Sequence, residues 1–188
     1  MKVLVIGSGG REHAIVWKLA QSPHITKMWC APGNTGIGKE LVKGSPVECV
    51  NIGAEDLEKL LQFAREQKPD LTVVGPDNPL AMGIVDLFQQ HNLLIWGPNK
   101  KAAQFESSKA FSQQFMEKYG IPSPKGAVFT DFQLASRYAA SFGGRCAIKA
   151  DGLALGKGVI VSKDMEVADK AIEDMLVKRA FGKAGEKI

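Results

Sequence analysis

The stretch Asp151-Gly-Leu-Ala-Leu-Gly-Lys-Gly158 lies between two short apolar runs, Cys146–Lys149 and Val159–Ser162. Both runs are rich in aliphatic and β-branched residues, which predicts two strands. Glycines let backbone N–H groups approach an anion closely, and the ammonium of Lys157 adds a positive charge. The sequence therefore predicts a glycine-rich loop that joins two strands and binds phosphate groups.

This loop differs from a P-loop in its glycine spacing and in the element after it. A P-loop has the pattern Gly-x-x-x-x-Gly-Lys-Ser/Thr and runs into a helix. Here the two glycines are one residue closer, Gly158 occupies the Ser/Thr position, and a strand comes next. Such a loop is a hairpin flap that can close over a nucleotide, so we predict an enzyme that uses ATP.

The composition is that of an ordinary folded protein. The 188 residues are 45% hydrophobic and 23% charged, which allows one large or two small domains and argues against disorder. No apolar run approaches the ~20 residues that span a bilayer, so we expect no membrane partner. The net charge of +4 comes from scattered basic residues without interleaved aromatic residues, so we expect no nucleic-acid partner.

The three cysteines indicate a reducing environment. Cys30, Cys49 and Cys146 are far apart in sequence and match no zinc-binding spacing. We interpret them as free thiols and expect a cytoplasmic protein.

Strand and helix signals alternate over the first hundred residues. Strands are predicted at Lys2–Ile6, Thr26–Ala31, Val47–Ile52, Leu71–Val74 and Leu93–Trp96. Helices are predicted at Glu12–Gln21, Asp56–Gln67 and Leu80–His91. This alternation is typical of α/β proteins, and it predicts a Rossmann-like parallel sheet with helices on both faces over residues 1–100.

Four glycine-bearing polar turns follow the strands of this predicted sheet. Ligands of parallel sheets bind beyond the carboxyl ends of the strands, so these turns predict a small-molecule site. Each of them alone could be an ordinary strand-to-helix turn, but that interpretation explains the four together less well. The turns are Gly7–Glu12, Pro32–Asn34, Gly75–Asn78 and Gly97–Asn99.

The first of these turns is similar to a dinucleotide fingerprint but lacks two of its parts. Glu12 stands where the third glycine of Gly-x-Gly-x-x-Gly is required, and Pro32–Asn34 replace the acidic residue after the second strand. A glycine turn that opens a helix still suits an anion, and Arg11 adds hydrogen-bond donors. A sugar phosphate therefore fits this turn better than NAD.

The character of the sequence changes after Pro98. Residues 101–122 predict linker helices, at Lys101–Phe105 and Ser107–Tyr119, and residues 123–188 predict a small α+β unit. Its predicted elements are strand Ala127–Phe129, helix Phe132–Ala140, strands Cys146–Lys149 and Val159–Val161, and helix Glu166–Leu176. Residues 181–188 follow the last predicted helix, at the point where a further strand would come next in such a unit. The given sequence stops before that strand, so we expect the unit to lack its last strand.

Five motifs in this order closely resemble one family, the phosphoribosylamine–glycine ligases of purine synthesis, which have the ATP-grasp fold. They are GSGGREHA at 7–14, APGN at 31–34, TVVGP at 72–76, SKAF at 108–111 and KADG through GKGV at 149–159. The sequence departs from the family pattern at Asp77-Asn78 and at Ser107. The resemblance implies a pre-ATP-grasp domain over residues 1–100 and an ATP-grasp lid over residues 123–188.

The resemblance also implies roles for particular residues. Phosphoribosylamine and glycine are expected at Gly9, Gly10, Arg11, Glu12, Pro32, Gly33, Asn34, Gly75, Pro76 and Asp77. ATP is expected at Lys109, Lys149, Asp151, Gly152, Gly156, Lys157 and Gly158.

The activity that the resemblance implies is ATP-dependent ligation of glycine to 5-phosphoribosylamine through glycyl phosphate. Mg²⁺ or Mn²⁺ is expected as the metal, with ligands beyond Ile188, so we expect this chain alone to be inactive. No residue is assigned as catalytic, and no obligate protein partner is expected. Three alternatives remain open: a non-catalytic module that binds a nucleotide or sugar phosphate, another ATP-grasp carboxylate–amine ligase, and an NAD-dependent oxidoreductase domain.

Overall fold

A computed structural model describes residues 1–153 and 158–188 of the chain, without the side chain of Lys183. These residues form two compact units, 1–103 and 104–188. The finer division of the second unit into linker helices and lid stays a prediction. Among the helices of the described residues, none is both long enough and apolar enough to cross a membrane.

The first unit contains the parallel sheet that the sequence predicts. Its strand order is β5-β2-β1-β6-β7, and every neighbouring pair is parallel. The strands are β1 (Lys2–Gly7), β2 (Lys27–Pro32), β5 (Glu48–Cys49), β6 (Leu71–Val74) and β7 (Ile95–Trp96). A two-stranded antiparallel hairpin that the sequence did not predict, β3 (Leu41–Val42) and β4 (Ser45–Pro46), precedes β5.

Helices cover both faces of this sheet, as predicted. Successive side chains of a strand point to opposite faces, and β1 contributes to two separate apolar cores. Leu4 and Ile6 pack with Trp29 and Phe88 in one core, whereas Val3 and Val5 pack in the other. Each large apolar side chain buried in this way stabilises the fold by about 1.5–3 kcal/mol. The helices are α1 (Gly10–Ala20), α2 (Leu57–Gln67), α3 (Asp77–Met82) and α4 (Ile84–Gln90).

The prediction of one continuous helix at Leu80–His91 is wrong. The chain forms α3 and α4 instead, and Gly83 separates them with a φ of +99°. This left-handed conformation suits glycine and ends a helix, because a side chain there would be strained. The earlier start of α3 places Asp77 in its first turn.

The second unit is built on an antiparallel hairpin of β8 (Ala147–Lys149) and β9 (Val159–Val161). Ile148 and Ile172 lie in one apolar core, formed between the hairpin and the helices. The helices are α5 (Gln104–Ser107), α6 (Lys109–Lys118), α7 (Phe132–Ala140) and α8 (Met165–Ile172), and the last is followed by a π-helical turn at Glu173–Val177.

The predicted strand at Ala127–Phe129 is absent from the second unit, where the structure assigns no strand to these residues. Phe129 nevertheless exchanges two backbone hydrogen bonds with Ile188, at N–O distances of 2.9 and 3.0 Å. The N–H of Asp151 donates to the carbonyl of Lys187 at 2.8 Å. The last two residues therefore bridge these two segments, but a single pair of residues is too short to make a strand.

Candidate functional site

The first candidate site lies at the carboxyl edge of the parallel sheet. The chain runs outward from β1 through β2 to β5 and then returns to the other side of β1 as β6. The topological switch point is therefore the crevice between β1 and β6, where ligands of such sheets bind. Turns that contain the predicted substrate residues follow β1, β2 and β6.

The turn after β1 is held by the side chain of Glu12. One carboxylate oxygen, Oε2, accepts a hydrogen bond of 2.7 Å from the N–H of Gly9, the N-cap of α1. Glu12 is only 5% exposed although it is charged. A Cβ on Gly7 would lie 2.4 Å from its Cγ, and a Cβ on Gly75 would lie 2.2 Å from its Oε1. Glycine is required at both positions because Glu12 fills the space between them.

Arg11 links the turn after β1 to the turn after β6. Its Nη1 donates to the carbonyl of Gly75 at 2.9 Å and lies 3.3 Å from Oδ1 of Asp77. About 62% of the Arg11 side chain remains exposed, so this ion pair contributes little to stability. The guanidinium still has donors that can reach an anion at the helix N-terminus.

Asn34 links the turn after β2 to the turn after β1. Its Nδ2 donates to the carbonyl of Ser8 at 2.8 Å, and its Oδ1 accepts from the N–H of Ile37 at 2.9 Å. The N–H of Gly33 donates to the carbonyl of Gly7 at 3.0 Å. Both ends of the Asn34 amide thus have protein partners, and they fix the loop that begins at Pro32.

Three of the four predicted turns meet in this way. The fourth is held by a local contact, because the side chain of Asn99 accepts from the N–H of Ala102 at 2.9 Å, within the turn that precedes α5. The residues brought together on the three linked turns are Gly9, Gly10, Arg11, Glu12, Pro32, Gly33, Asn34, Gly75, Pro76 and Asp77.

A contact between His13 and Glu40 was missed by the sequence analysis. His13 Nε2 lies 2.8 Å from Glu40 Oε1, and a Cβ on Gly36 would lie 2.8 Å from the His13 ring. The pair therefore joins α1 to the loop that follows Asn34. The only sequence signal was the proximity of His13 to the glycine turn.

In the second unit, Asp151 is surrounded by hydrogen-bond donors. Its carboxylate accepts from Ser108 Oγ and from the N–H of Ala110, both at 3.0 Å, and lies 2.7 Å from Lys187 Nζ. Burial by itself would raise the pKa of the Asp151 carboxyl. The hydrogen bonds from Lys187, Ala110 and Ser108 outweigh burial and hold this pKa below its ordinary value. Asp151 is thus ionised and fully committed to protein groups.

Lys109 and Lys149 lie in different settings. Lys109, the first residue of α6, donates from Nζ to the carbonyl of Gly152 at 2.8 Å, at the base of the glycine-rich loop. Lys149 is exposed on β8 and is paired across the hairpin with Val159, while Ala147 is paired with Val161. Val159 and Val161 are exposed by 41% and 78%, so one face of the hairpin presents apolar side chains beside an ammonium group.

The predicted loop residues Gly156 and Lys157 lie outside the described residues. Gly158 is described, and its carbonyl accepts a hydrogen bond of 2.8 Å from the N–H of Ala150. Gly152 has a φ of +147°, and a Cβ there would lie 2.8 Å from Cβ of Ala184. Glycine at this position therefore allows the loop to leave β8 close to the C-terminal residues.

The second unit also contains an apolar groove of about 570 Å³. Aromatic and aliphatic side chains make up most of its wall. They include Phe129, Tyr138, Phe142, Ile148, Ile172 and Ile188.

Comparison with known proteins gives matches to both units. The family model described as "Phosphoribosylglycinamide synthetase, N domain" matches residues 1–106, and that described as "Phosphoribosylglycinamide synthetase, ATP-grasp (A) domain" matches residues 107–188. A phosphoribosylamine–glycine ligase of Vibrio vulnificus is 48% identical over the whole chain, and one of Caldanaerobacter subterraneus is 49% identical over 186 residues. The chain spans 43% of the length of these curated relatives.

Comparison with solved structures also gives a phosphoribosylamine–glycine ligase and, in addition, a more distant protein with the same fold. The crystal structure of phosphoribosylamine–glycine ligase from Thermotoga maritima matches 99% of this chain with a TM-score of 0.72 and 27% identity, over 41% of its own length. A biotin carboxylase domain of the 2-oxoglutarate carboxylase of Hydrogenobacter thermophilus matches 97% with a TM-score of 0.76, over 42% of its own length. At 20% identity, the second match shows a shared fold.

Proposed function

Because the chain belongs to the phosphoribosylglycinamide synthetase family, we propose that it forms the substrate-binding and ATP-covering part of a phosphoribosylamine–glycine ligase. The full-length protein joins glycine to 5-phosphoribosylamine and converts ATP into ADP and phosphate. The observation that carries this proposal is the consecutive match of two models from one enzyme family to residues 1–106 and 107–188.

The proposed reaction has two steps. A carboxylate oxygen of glycine attacks the γ-phosphorus of ATP, the bond to the bridging oxygen of ADP breaks, and glycyl phosphate forms. The amine nitrogen of phosphoribosylamine then attacks the acyl carbon, phosphate leaves with the C–O electron pair, and the nitrogen loses a proton to give the amide. Neither step needs a protein nucleophile, so the protein contributes mainly positioning and charge.

We assign the sugar phosphate to the three linked turns of the first unit. The free N–H groups at the start of α1 and the exposed guanidinium of Arg11 suit a phosphate group. Asn34 fixes the loop after β2, and Asp77, held beside Arg11, has lone pairs for a hydroxyl or an amine.

We assign ATP to the second unit. Lys109 and Lys149 are the point charges for its phosphates, and the exposed valines of β9 suit the flat apolar face of a purine. Asp151 keeps Lys109 and Gly152 in place through the hydrogen bonds at the start of α6. The glycine-rich loop, residues 152–158, excludes water from the acyl phosphate in this proposal.

A divalent cation, Mg²⁺ or Mn²⁺, would neutralise phosphate charge in such a reaction. Within residues 1–153 and 158–188, no group of three His, Cys, Asp or Glu side chains is arranged to hold a metal ion. These residues do not fit the cation, and we propose that its ligands lie elsewhere in the full-length protein.

The test compares two proteins. One is the 188-residue chain, and the other is a chimera in which the remaining part of the 48% identical Vibrio vulnificus relative follows Ile188. ADP release is measured with ATP and Mg²⁺, with and without glycine and phosphoribosylamine. We expect release from the chimera only when both substrates are present, and none from the chain alone.

Three other results would contradict parts of this proposal. A folded chimera that binds ribose 5-phosphate but releases no ADP would favour a non-catalytic module. Release that requires a different carboxylate or amine would favour another ATP-grasp ligase. Substrate-dependent release from the 188-residue chain would show that it contains the complete machinery.

A further inference from the structure

Two of the three cysteines are direct neighbours in the parallel sheet. Cys30 of β2 and Cys49 of β5 are paired in register, and both are free thiols. Residues in register on adjacent strands lie about 4.8 Å apart and point to the same face of the sheet. Disulfides join residues whose Cα atoms are about 4.4–6.8 Å apart, so the spacing of these two positions allows a bond.

Gly33, in the loop after β2, lies beside both cysteine side chains. A Cβ on Gly33 would lie 2.5 Å from Sγ of Cys49 and 3.3 Å from Cβ of Cys30. Because glycine has no Cβ, the sulfur of Cys49 has room close to Cys30. Cys49 also belongs to a two-residue strand at the edge of the sheet, so a small movement of its sulfur towards Cys30 disturbs few contacts of the sheet.

The two thiols differ in their access to an oxidant. Cys30 is fully buried, and burial followed by the charge of Cys49 raises the pKa of its thiol to about 12. Cys49 is exposed. The thiolate is the nucleophile in thiol–disulfide exchange, so an oxidant in solution reacts first with Cys49, and Cys30 reacts second with its neighbour.

Each thiol also donates a hydrogen bond to a different turn of the proposed sugar-phosphate site. Sγ of Cys30 donates to the carbonyl of Gly7 at 3.3 Å, and Sγ of Cys49 donates to the carbonyl of Asn34 at 3.4 Å. A disulfide has no S–H group, so its formation removes both hydrogen bonds. It also moves the Cys49 sulfur, which lies against Gly33. The oxidation state of the pair is therefore coupled to the loop at residues 33–38.

We propose that Cys30 and Cys49 form a reversible redox switch, in which a disulfide between them weakens the hydrogen bonding of residues 33–38 and lowers the affinity for the sugar phosphate. The effect on affinity rests on the proposed function, because the loop contributes Gly33 and Asn34 to the proposed site. The formation of the disulfide does not rest on it.

The oxidant in this proposal is a small-molecule disulfide, glutathione disulfide. The sulfur of Cys49 attacks one sulfur of glutathione disulfide, the S–S bond breaks, and one glutathione leaves as a thiolate. The sulfur of Cys30 then attacks that of Cys49, and the second glutathione leaves. The two protons that the cysteines lose are taken up by the two glutathione thiolates. Two protein thiols are thus oxidised while one glutathione disulfide is reduced to two thiols.

The test compares the reduced 188-residue chain with the same chain after incubation with glutathione disulfide. Cys49→Ser is the matched control, because serine keeps a donor for the carbonyl of Asn34 but cannot form a disulfide. After free thiols are alkylated, trypsin leaves Cys30 in peptide 28–39 and Cys49 in peptide 44–59. Mass spectrometry detects a linked pair of these peptides, which is lighter by two hydrogens than the two reduced peptides together. Circular dichroism establishes that the proteins are folded.

Two further measurements follow the consequence of the bond. Amide hydrogen exchange reports on residues 33–38, and calorimetric titration reports on the binding of ribose 5-phosphate. In the oxidised chain we expect the linked peptides, about tenfold faster exchange and about tenfold weaker binding. Dithiothreitol should restore the exchange rate and the affinity, and Cys49→Ser should show neither change.

The absence of the linked peptides would overturn the inference, including the case in which Cys49 is joined only to glutathione or to Cys49 of a second copy. Linked peptides with unchanged exchange, or with unchanged binding of ribose 5-phosphate, would also overturn it while the proposed function stands. If the reduced chain does not bind ribose 5-phosphate, the proposed sugar site is contradicted. The linked peptides and the exchange rates then decide the inference, since neither measurement needs a ligand.

Discussion

The carboxylate of Asp151 lies 2.7 Å from the ammonium of Lys187, and only 8% of the Asp151 side chain is exposed. The same carboxylate accepts hydrogen bonds from Ser108 and Ala110 at the start of α6. One side chain therefore joins three segments of the second unit that are distant in sequence. Asp151 stabilises the fold around the glycine-rich loop, and its proposed effect on ATP is through the position of its neighbours.

We expect Asp151→Asn to destabilise the second unit by about 2–3 kcal/mol, because the amide leaves the Lys187 ammonium unpaired and replaces one acceptor with a donor. Urea unfolding followed by circular dichroism measures this change. Glu117→Gln, an exposed carboxylate of α6, should remain within about 0.5 kcal/mol of the wild type. Equal effects of the two substitutions would show that the contacts of Asp151 are unimportant.

The pH dependence of stability should also change in Asp151→Asn. Hydrogen bonds lower the pKa of Asp151 in the folded protein, against the opposing effect of burial. A carboxyl group with a lowered pKa stabilises the fold above its ordinary value of 3.8, and this contribution is lost as the pH falls further. We therefore expect the wild type to lose more stability than Asp151→Asn between pH 5 and about pH 2. Parallel pH profiles of the two proteins would contradict this assignment.

A further prediction concerns the close approach of Glu12 and Gly75. A methyl group on Gly75 would lie 2.2 Å from Oε1 of Glu12, so Gly75→Ala should destabilise the first unit by about 1–3 kcal/mol. Glu12→Ala removes the obstacle, and the double variant should recover at least about 1 kcal/mol relative to the sum of the single changes. The unfolding free energies of the wild type, the two single variants and the double variant form a double-mutant cycle, which measures the coupling between the two positions.

The control for this cycle is Gly10→Ala, because no atom lies within 4 Å of a Cβ at Gly10. We expect that substitution to leave stability nearly unchanged. Strict additivity of Gly75→Ala and Glu12→Ala would mean that the two side chains do not share the crevice.

The main architecture could be predicted from the sequence because strands buried on both faces are almost continuously apolar. The run from Val3 to Ile6 is buried throughout, and such a run is typical of a central parallel strand. The exposure of individual apolar side chains was less predictable from the sequence. Trp17 and Trp96 are 53% and 64% exposed, whereas Trp29 is buried. Local sequence shows that a residue is apolar, but not whether a neighbouring element covers it.

The turns of the candidate site could also be predicted, since each combines glycine with polar residues after a strand. Their mutual contacts could not. Arg11 meets Gly75, 64 positions later in the chain, and His13 meets Glu40 across a loop. These pairs depend on the order of the strands in the sheet, which residue spacing does not encode. The role of Glu12 was visible only in part, as the missing third glycine of a fingerprint.

Another prediction concerns the thiol of Cys30 on β2. Burial, the neighbouring Cys49 and then Glu12 raise the pKa of Cys30 from 9.0 to about 12. A thiol that ionises at pH 9 when unfolded but only near pH 12 when folded stabilises the fold below pH 9, and this contribution is lost as the pH rises towards 12.

We expect Cys30→Ala to lose less stability than the wild type between about pH 9 and pH 11, by up to about 1.4 kcal/mol per pH unit. This difference is measured as the slope of unfolding free energy against pH. The smaller side chain of Cys30→Ala lowers the unfolding free energy by the same amount at every pH, so it does not change the slope. A wild-type slope in Cys30→Ala would mean that the Cys30 thiol ionises normally.

The last prediction concerns the apolar groove of the second unit. Ile188 forms part of its wall and exchanges two backbone hydrogen bonds with Phe129. The sequence analysis expects a further strand after residues 181–188, and we predict that this strand continues beside Phe129 and enters the groove. The curated relatives are longer than this chain, which spans 43% of their length, and can supply those residues.

We expect a chain extended by the ten residues that follow the matched region of the Vibrio vulnificus relative to unfold at a higher urea concentration than the 188-residue chain. A strand that covers the groove of about 570 Å³ would remove the apolar side chains of its wall from water. We expect the unextended chain to bind an apolar fluorescent dye in the groove, and we expect the extended chain not to bind it. A ten-residue Gly/Ser extension should change neither property. If both extensions behave alike, the groove does not bind a strand and remains available to another ligand.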